Sequence, residues 1–254
     1  MLALWAALLP AAAVQAQVPP PAPAPAAAPP RLVLFVAVDQ MWFDYLDRFA
    51  PHYTGGLKRL RDEGAIFTNA YYRHANSETG PGHAVLLSGR HARDNGIVAN
   101  AWYDRTSGGV VNVVGDPLVA PLPGPGRGAS PANFSGATVG DLLKRASPAS
   151  RVVGVAGKDR SAILMAGPRA DAAYWYEGAA GVFGSSTYYM RALPTWLADW
   201  NAKKPFDALA GRSWTRPAIT NWSPIGMHTI RSPQTPRSAC SSSPRPGAGV
   251  LTIA

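Results

Sequence analysis

The chain has 254 residues, and its 24 Lys and Arg against 15 Asp and Glu give a formal charge of +9. This length is sufficient for one large domain with a substantial core, or for two small domains. The positive charge suits an anionic substrate, but the lack of Lys/Arg-rich blocks, aromatic stacking motifs and zinc-finger spacings argues against nucleic-acid binding. The single cysteine, Cys240, excludes an internal disulfide and a thiolate metal cluster.

The N-terminus is predicted to direct export. Residues 1–16 form an apolar segment that ends in a small-x-small cleavage pattern and is too short to span a bilayer. We interpret it as a signal peptide, with an uncleaved anchor as the alternative. Either one predicts a periplasmic or secreted domain, and after cleavage no stable membrane span is expected. Residues 17–30 are almost entirely Pro and Ala and are predicted to form an extended tether, so the fold begins at Arg31.

Alternating strand and helix patterns follow from Arg31 onwards. The apolar run 32–38 predicts a strand buried on both faces, 55–63 a helix ended by Gly64, and 65–72 a second strand. Later patterns predict a loop and hairpin over 91–115, a surface excursion over 117–131, helices over 135–145 and 194–201, and strands over 151–156, 174–176 and 187–189. The predicted fold class is therefore α/β, a mostly parallel sheet with helices on both faces.

Two side chains near the predicted strands are candidates for chemistry. Asp39 directly follows the run 32–38, where it is either a site carboxylate or the N-cap of the next segment. Thr79 is a good N-cap residue where a turn becomes a helix, and Pro81 fits the first helical turn. The positive end of that helix would favour an alkoxide and an incoming phosphate, although an ordinary capped helix is the alternative.

A third candidate follows the strand predicted over 151–156. Lys158 and Arg160 flank an aspartate there, as either a solvated turn or a phosphate clamp. Because parallel strands end at one edge of a sheet, we expect this pair, Asp39 and Thr79 to converge. A carboxylate for a divalent metal, a hydroxyl and a cationic pair are what phosphoryl transfer through a covalent intermediate requires.

Four segments together resemble a known family. They are residues 38–41, 78–84, 91–104 and 157–163. In this order they resemble the alkaline phosphatase superfamily, in particular its threonine-nucleophile bacterial periplasmic alkaline phosphatases, which are related to the nucleotide pyrophosphatase/phosphodiesterases. The resemblance covers about residues 31–230.

This resemblance implies a role for each candidate residue. Asp39 and Thr79 would bind one of two zinc ions, and Thr79 would be the nucleophile that is phosphorylated first. Asn100, Lys158 and Arg160 would bind the phosphate of a small substrate. A cationic pair favours monoesters, which carry more terminal charge than diesters, so phosphomonoester hydrolysis is predicted. A phosphodiesterase, nucleotide pyrophosphatase or sulfatase-like activity is the alternative.

The sequence also departs from the family pattern. A two-zinc site needs about six protein ligands, and nothing here matches those that the family supplies from its second half. His83 and His91 match no ligand and are expected to be satisfied by hydrogen bonds. We interpret residues 31–231 as the N-terminal part of a truncated domain with exposed apolar edges. Residues 232–254 are predicted to be a disordered, out-of-frame tail. An inactive fragment is thus a further alternative, and the oligomeric state stays open.

Overall fold

A computed structural model describes residues 31–213 of the chain. In this part the strands are β1 (Ala101–Asp104), β2 (Gly109–Asn112), β3 (Pro121–Leu122), β4 (Val153–Ala156), β5 (Ala172–Glu177) and β6 (Val182–Ser186). The α-helices are α1 (Tyr45–Arg48), α2 (Gly56–Glu63), α3 (Thr79–Ser88), α4 (Ala92–Asn95), α5 (Val139–Ala146), α6 (Asp159–Ala166) and α7 (Thr195–Ala202). The predicted signal peptide, tether and tail lie outside the described residues.

The strands form a hairpin and a four-stranded sheet. β1 and β2 pair antiparallel, and the larger sheet has the order β3-β6-β5-β4. β4 and β5 are parallel, whereas β5 pairs antiparallel with β6, and β6 with β3. The predicted α/β class is confirmed, but the described sheet is mixed, because two of its three strand pairs are antiparallel.

Side chains of β5 alternate between two packed layers. Ala173 and Trp175 belong to the main core cluster together with Ile163 of α6. Tyr174 belongs to a second cluster with Leu197 of α7. Since successive residues of a strand point to opposite faces, α6 and α7 cover the two faces of the sheet, as the sequence predicts.

The buried strand predicted over 32–38 is wrong for the described structure. This segment has no strand pairing within residues 31–213, and Leu32 is 80% exposed and Val33 67%. An apolar run becomes a strand only when a neighbour satisfies its backbone N–H and C=O groups, and none of the described segments does so. Val155 on the edge strand β4 is likewise 65% exposed. The expectation of exposed apolar edges therefore holds for this part of the chain.

Three other predicted segments differ from the structure. Residues 65–72 and 187–189 are loops and turns, and the strand near the latter is β6, which ends one residue earlier. The predicted surface excursion 117–131 contributes β3 to the sheet and places Ala129 and Ser130 in the core. The backbone bond from Thr187 to Ala120 and the side-chain bond from Ser186 to Ala129 hold it there. Such contacts join segments distant in sequence, which local patterns cannot predict.

Gly128 is the tightest backbone position in this excursion. A Cβ there would lie 1.8 Å from the Val119 carbonyl oxygen and 2.6 Å from that of Asp116. We expect Gly128→Ala to lower the free energy of unfolding by about 3 kcal/mol, measured by urea denaturation, because backbone atoms must move. Gly178→Ala is the matched control, since its Cβ would meet nothing within 4 Å. Equal stability of the two variants would contradict this packing.

Asp171 joins the starts of β4 and β5 through a charged network. Its carboxylate accepts hydrogen bonds from Lys144 at 2.8 Å, Arg151 at 3.0 Å and the Val152 N–H at 2.7 Å. Burial raises its pKa, but these three donors outweigh burial and lower the pKa from 3.8 to about 2. A carboxylate with a lowered folded-state pKa stabilises the fold above the unfolded-state pKa, and this contribution is lost as pH falls from about 4 to about 2.

Asp171→Asn should therefore destabilise the fold at neutral pH, and this destabilisation should disappear in acid. We expect it to lower the free energy of unfolding by about 2 kcal/mol at pH 7, a difference that shrinks progressively as pH falls from about 4 to about 2. Urea unfolding followed at several pH values measures this. Asp199→Asn is the control, since Asp199 is exposed and makes no ion pair with residues 31–213. A pH-independent effect at Asp171 would refute the proposed linkage.

Candidate active site

Thr79 is the first residue of α3. The N-cap is Glu78, one position earlier than the sequence indicates, and Pro81 lies in the first turn as predicted. The helix ends where Gly89 takes a left-handed conformation, with φ at 64°. Thr79 is 8% exposed, so its hydroxyl is largely shielded from solvent at the positive end of a ten-residue helix.

Asp39, Thr79 and Lys158 are within hydrogen-bonding distance of one another. The Thr79 hydroxyl donates to Asp39 Oδ2 at 2.9 Å. The Lys158 ammonium donates to Asp39 Oδ2 at 2.7 Å and to Thr79 Oγ1 at 3.2 Å. Lys158 is the N-cap residue of α6, two positions after the end of β4, so the structure brings together the three segments that the sequence predicts to meet.

The charges around this triangle favour an ionised acid. Burial raises the pKa of Asp39, but hydrogen bonds from Lys158 and Thr79 and the Lys158 charge outweigh it and hold the pKa below its ordinary value. Asp39 is thus a carboxylate at neutral pH. A cation 3.2 Å from Thr79 Oγ1 also stabilises negative charge that develops on that oxygen.

Asn100 is fixed beside Thr79 by its backbone and by one end of its amide. Its N–H donates to Glu78 Oε2 at 2.7 Å, and its Oδ1 accepts the Gly80 N–H at 2.7 Å. The Asn100 carbonyl accepts the Val113 N–H at 3.0 Å. Because Oδ1 is occupied, the amide Nδ2 is the part of Asn100 available to donate to a ligand oxygen.

Arg160 completes a cavity of about 610 Å³ that all five predicted site residues line. Its Nε is buried and has no hydrogen-bond partner within residues 31–213. A buried donor without a partner is costly for the folded protein. The same cavity is also lined by the apolar side chains of Phe35, Leu57 and Leu86.

His83 is buried at the base of this site, as a hydrogen-bonded core histidine. Its Nδ1 lies 2.8 Å from the Thr79 carbonyl oxygen, which requires a proton on Nδ1. Burial lowers its pKa below the ordinary value more than the Thr79 carbonyl and Asp39 raise it, so the ring is neutral. His91 precedes α4 and is exposed.

Asp39 and Thr79 are the two residues that the sequence predicts as ligands of a metal ion. The two oxygens are 2.9 Å apart and converge on one cation, the Lys158 ammonium, which suits ligands that share a metal. Zinc sites in proteins use three or four protein ligands. Within residues 31–213, no three His, Cys, Asp or Glu side chains are close enough to hold a metal ion. The described residues thus fit part of a metal site, namely the part that contains the threonine.

The fold and this site define a class of protein. The family model for type I phosphodiesterase/nucleotide pyrophosphatase matches residues 33–229. The chain belongs to this family, and the resemblance to the alkaline phosphatase superfamily is confirmed.

Several curated relatives are named alkaline phosphatases. The chain is 43% identical to PhoK from a Sphingomonas species over 158 aligned residues. This alignment covers 61% of this chain and 28% of PhoK. It is 40% identical to PhoV from Synechococcus elongatus over 194 aligned residues. This alignment covers 75% of this chain and 35% of PhoV. The chain thus spans about a third of the length of the curated relatives that it matches.

Solved structures give the same result. A crystal structure of wild-type alkaline phosphatase PafA matches with a TM-score of 0.67 and 36% identity, covering 70% of this chain and 35% of PafA. A PafA variant matches with a TM-score of 0.68 and 34% identity, over the same shares. In that variant one threonine is changed to serine, and one asparagine, one lysine and one arginine to alanine.

Sequence reasoning missed three residues that shape the site. Glu78 holds the backbone of Asn100, and Asp159 binds Arg160 and Arg127. Glu78 and Asp159 adjoin the predicted site residues, which was the available signal. Arg127 lies in the predicted surface excursion, so its proximity is visible only in the folded protein.

None of the helices within residues 31–213 has the length and hydrophobicity of a transmembrane segment.

Proposed function

We propose that this chain carries the nucleophile and phosphate-binding part of a zinc-dependent phosphomonoesterase that acts through a phosphothreonine intermediate. The observation that carries the proposal is the contact of Thr79 Oγ1 with the Asp39 carboxylate and the Lys158 ammonium, at 2.9 and 3.2 Å. A hydroxyl between an acid and a cation, at a helix N-terminus, is arranged for attack on phosphorus.

In the first half-reaction, Thr79 Oγ1 attacks the phosphorus atom and loses its proton as the P–O bond to the leaving alcohol breaks. The leaving oxygen takes up a proton, so an alcohol and a phosphothreonine result. In the second half-reaction, water attacks the phosphothreonine, inorganic phosphate leaves and the threonine hydroxyl is restored. Asp39 accepts the hydroxyl hydrogen bond, which orients the nucleophile.

Asn100, Lys158 and Arg160 would bind the non-bridging phosphate oxygens. The free Asn100 Nδ2 and the unpartnered Arg160 Nε both belong to residues lining the cavity with Thr79. Their donors and the Lys158 charge match the negative charge of the transferring group. Asp39 and Thr79 would bind one zinc ion, which when bound lowers the pKa of a coordinated hydroxyl.

The PafA variant supports these assignments by residue type and spacing. Its changed threonine and asparagine are 21 positions apart, and its changed lysine and arginine are two apart. Thr79 and Asn100, and Lys158 and Arg160, have the same two spacings here. The pair of cations also favours phosphate monoesters over diesters as substrates.

The proposal is tested by trapping the intermediate. The purified full chain is incubated with zinc and an aryl phosphate monoester, quenched in acid, digested and analysed by mass spectrometry. We expect one phosphoryl group on the peptide that contains Thr79. Phosphoryl transfer to another residue, or turnover without a modified Thr79 peptide under single-turnover conditions, would refute the mechanism.

A chain that binds phosphate without hydrolysing it is the second candidate. The scarcity of metal ligands favours this candidate, since residues 31–213 contain no group of three His, Cys, Asp or Glu side chains that could hold a metal ion. Zinc content and turnover of the purified protein separate the two. Two zinc ions per chain with hydrolysis support the phosphomonoesterase, whereas phosphate binding without zinc or turnover supports the second candidate.

We further propose export to the periplasm or secretion, on the basis of the signal-like residues 1–16 and of relatives named alkaline phosphatases. A small phosphorylated molecule is the proposed partner, and no nucleic acid. Fractionation of cells that express the full chain tests the location, with the mature N-terminus determined by mass spectrometry.

A further inference from the structure

The Arg160 guanidinium is bound by an acid that the proposed hydrolysis does not use. Asp159 Oδ1 accepts hydrogen bonds from the Arg160 backbone N–H at 2.7 Å and from Arg160 Nη1 at 3.3 Å. Asp159 Oδ2 accepts one from Arg127 Nη2 at 3.0 Å. One carboxylate thus links two arginines from distant parts of the chain.

Arg127 extends from a backbone segment that is fixed in the core. The next residue, Gly128, accepts a hydrogen bond from the Asp116 N–H at 3.0 Å. Ala129 accepts one from Ser186 Oγ at 2.6 Å and is 2% exposed, and Ser130 is fully buried. The Arg127 side chain is itself 49% exposed, so its attachment to this buried segment and its bond to Asp159 are what limit its movement.

Among the described residues this network uses one side-chain nitrogen of Arg160, which also lines the cavity with Thr79. Nη1 is used by Asp159, whereas the buried Nε has no partner among the described residues. The Asp159 and Arg160 side chains are 15% and 26% exposed, so their ion pair is largely shielded from solvent. An arginine held in place before binding loses less side-chain entropy when it forms hydrogen bonds to an oxyanion.

We propose that Asp159, held by Arg127, is a positioning residue that orients the Arg160 guanidinium toward a phosphate in the cavity with Thr79. The inference deepens the proposed function and depends on it for the identity of the anion. It assigns a supporting role to Asp159, although its negative charge alone would be expected to weaken phosphate binding.

The substitution Asp159→Asn distinguishes a positioning role from a simple charge effect, because the two predict opposite changes in phosphate affinity. The substitution removes a negative charge beside an anion site, so charge alone predicts tighter phosphate binding. Positioning predicts weaker binding, because the neutral amide holds Arg160 less firmly. We expect the dissociation constant for inorganic phosphate to rise about fivefold, measured by calorimetry on the full chain at fixed ionic strength.

The Arg160→Ala background tests whether Asp159 acts through Arg160. Arg160→Ala alone should weaken phosphate binding about thirtyfold, and Asp159→Asn should cause no further loss in that background. Arg127→Met should reproduce a part of the loss only when Arg160 is present. Arg93→Met is the matched control, because it removes one positive charge from an arginine whose side chain is 85% exposed and pairs with Asp94. Unchanged or tighter binding by Asp159→Asn, or equal losses with and without Arg160, would overturn the proposal.

A ligand-free measurement distinguishes this inference from the proposed function. In ¹⁵N-labelled protein, the Arg160 Nε–H resonance should be sharp and dispersed, and Asp159→Asn should shift it to the position of exposed arginines. An unchanged resonance would overturn the positioning role. If the parent chain binds no phosphate, the proposed function fails, while this resonance still decides whether Asp159 orients Arg160.

Discussion

Thr79→Ala should reduce turnover of an aryl phosphate monoester by about 10³-fold or more and abolish the phosphorylated peptide. The proposed intermediate is a phosphothreonine on the hydroxyl that contacts Asp39 and Lys158, so removal of this hydroxyl removes the proposed acceptor for the phosphoryl group. Initial rates on the full chain with added zinc, together with peptide mass spectrometry, measure both effects.

Thr79→Ser is the matched control for this prediction. It keeps a hydroxyl at the first position of α3 and removes one methyl group, so we expect activity within about tenfold of the parent chain. Inorganic phosphate should still bind to Thr79→Ala, because Asn100, Lys158 and Arg160 remain. A Thr79→Ala chain that keeps more than a tenth of the parent rate would exclude Thr79 as the nucleophile.

Replacement of Lys158 and Arg160 by alanine should remove the proposed preference for monoesters. We expect each single substitution to lower kcat/KM for a monoester by about 10²-fold and the pair by about 10³-fold, with smaller losses for a diester. The reason is charge, because a monoester presents more negative charge to the cations than a diester. Parallel assays with aryl mono- and diesters give the ratio directly.

Arg105→Met provides the control for net charge. Arg105 is exposed in the turn between β1 and β2 and lines no part of the cavity. It should leave the ratio of monoester to diester activity unchanged. Equal losses for both esters in the Lys158 and Arg160 variants would show that the cations support catalysis without selecting the substrate class.

The positions of α2, α5 and α7 could be predicted from sequence because helical signals are local. The pattern over 55–63 and Gly64 corresponds to α2 and its C-cap, and the pattern over 194–201 corresponds to α7. Thr138 and Asp141 at the start of α5 form a capping box, a signal carried by residues three positions apart. The strand predicted over 151–156 corresponds to β4, whereas helix α6, which begins at Asp159, was not predicted.

Strand pairing could not be predicted in the same way. The run 32–38 has the composition of a buried strand, but whether it pairs depends on another segment, and none within residues 31–213 does so. The antiparallel β6 and the short β3 make the sheet mixed for the same reason, because their partners are distant in sequence. Composition therefore indicated which segments could form strands, but it did not indicate which segments pair with each other.

The sequence by itself determined the family, the α/β class and the residue types of the site, because motifs and periodicity are properties of short segments. Only the tertiary structure decided that Thr79 contacts both Asp39 and Lys158, that Glu78 holds Asn100, and that Asp159 joins Arg160 to Arg127. Each of these contacts depends on distance and direction between side chains from separate elements. Those quantities are fixed by how the helices and strands pack together, which no single segment contains.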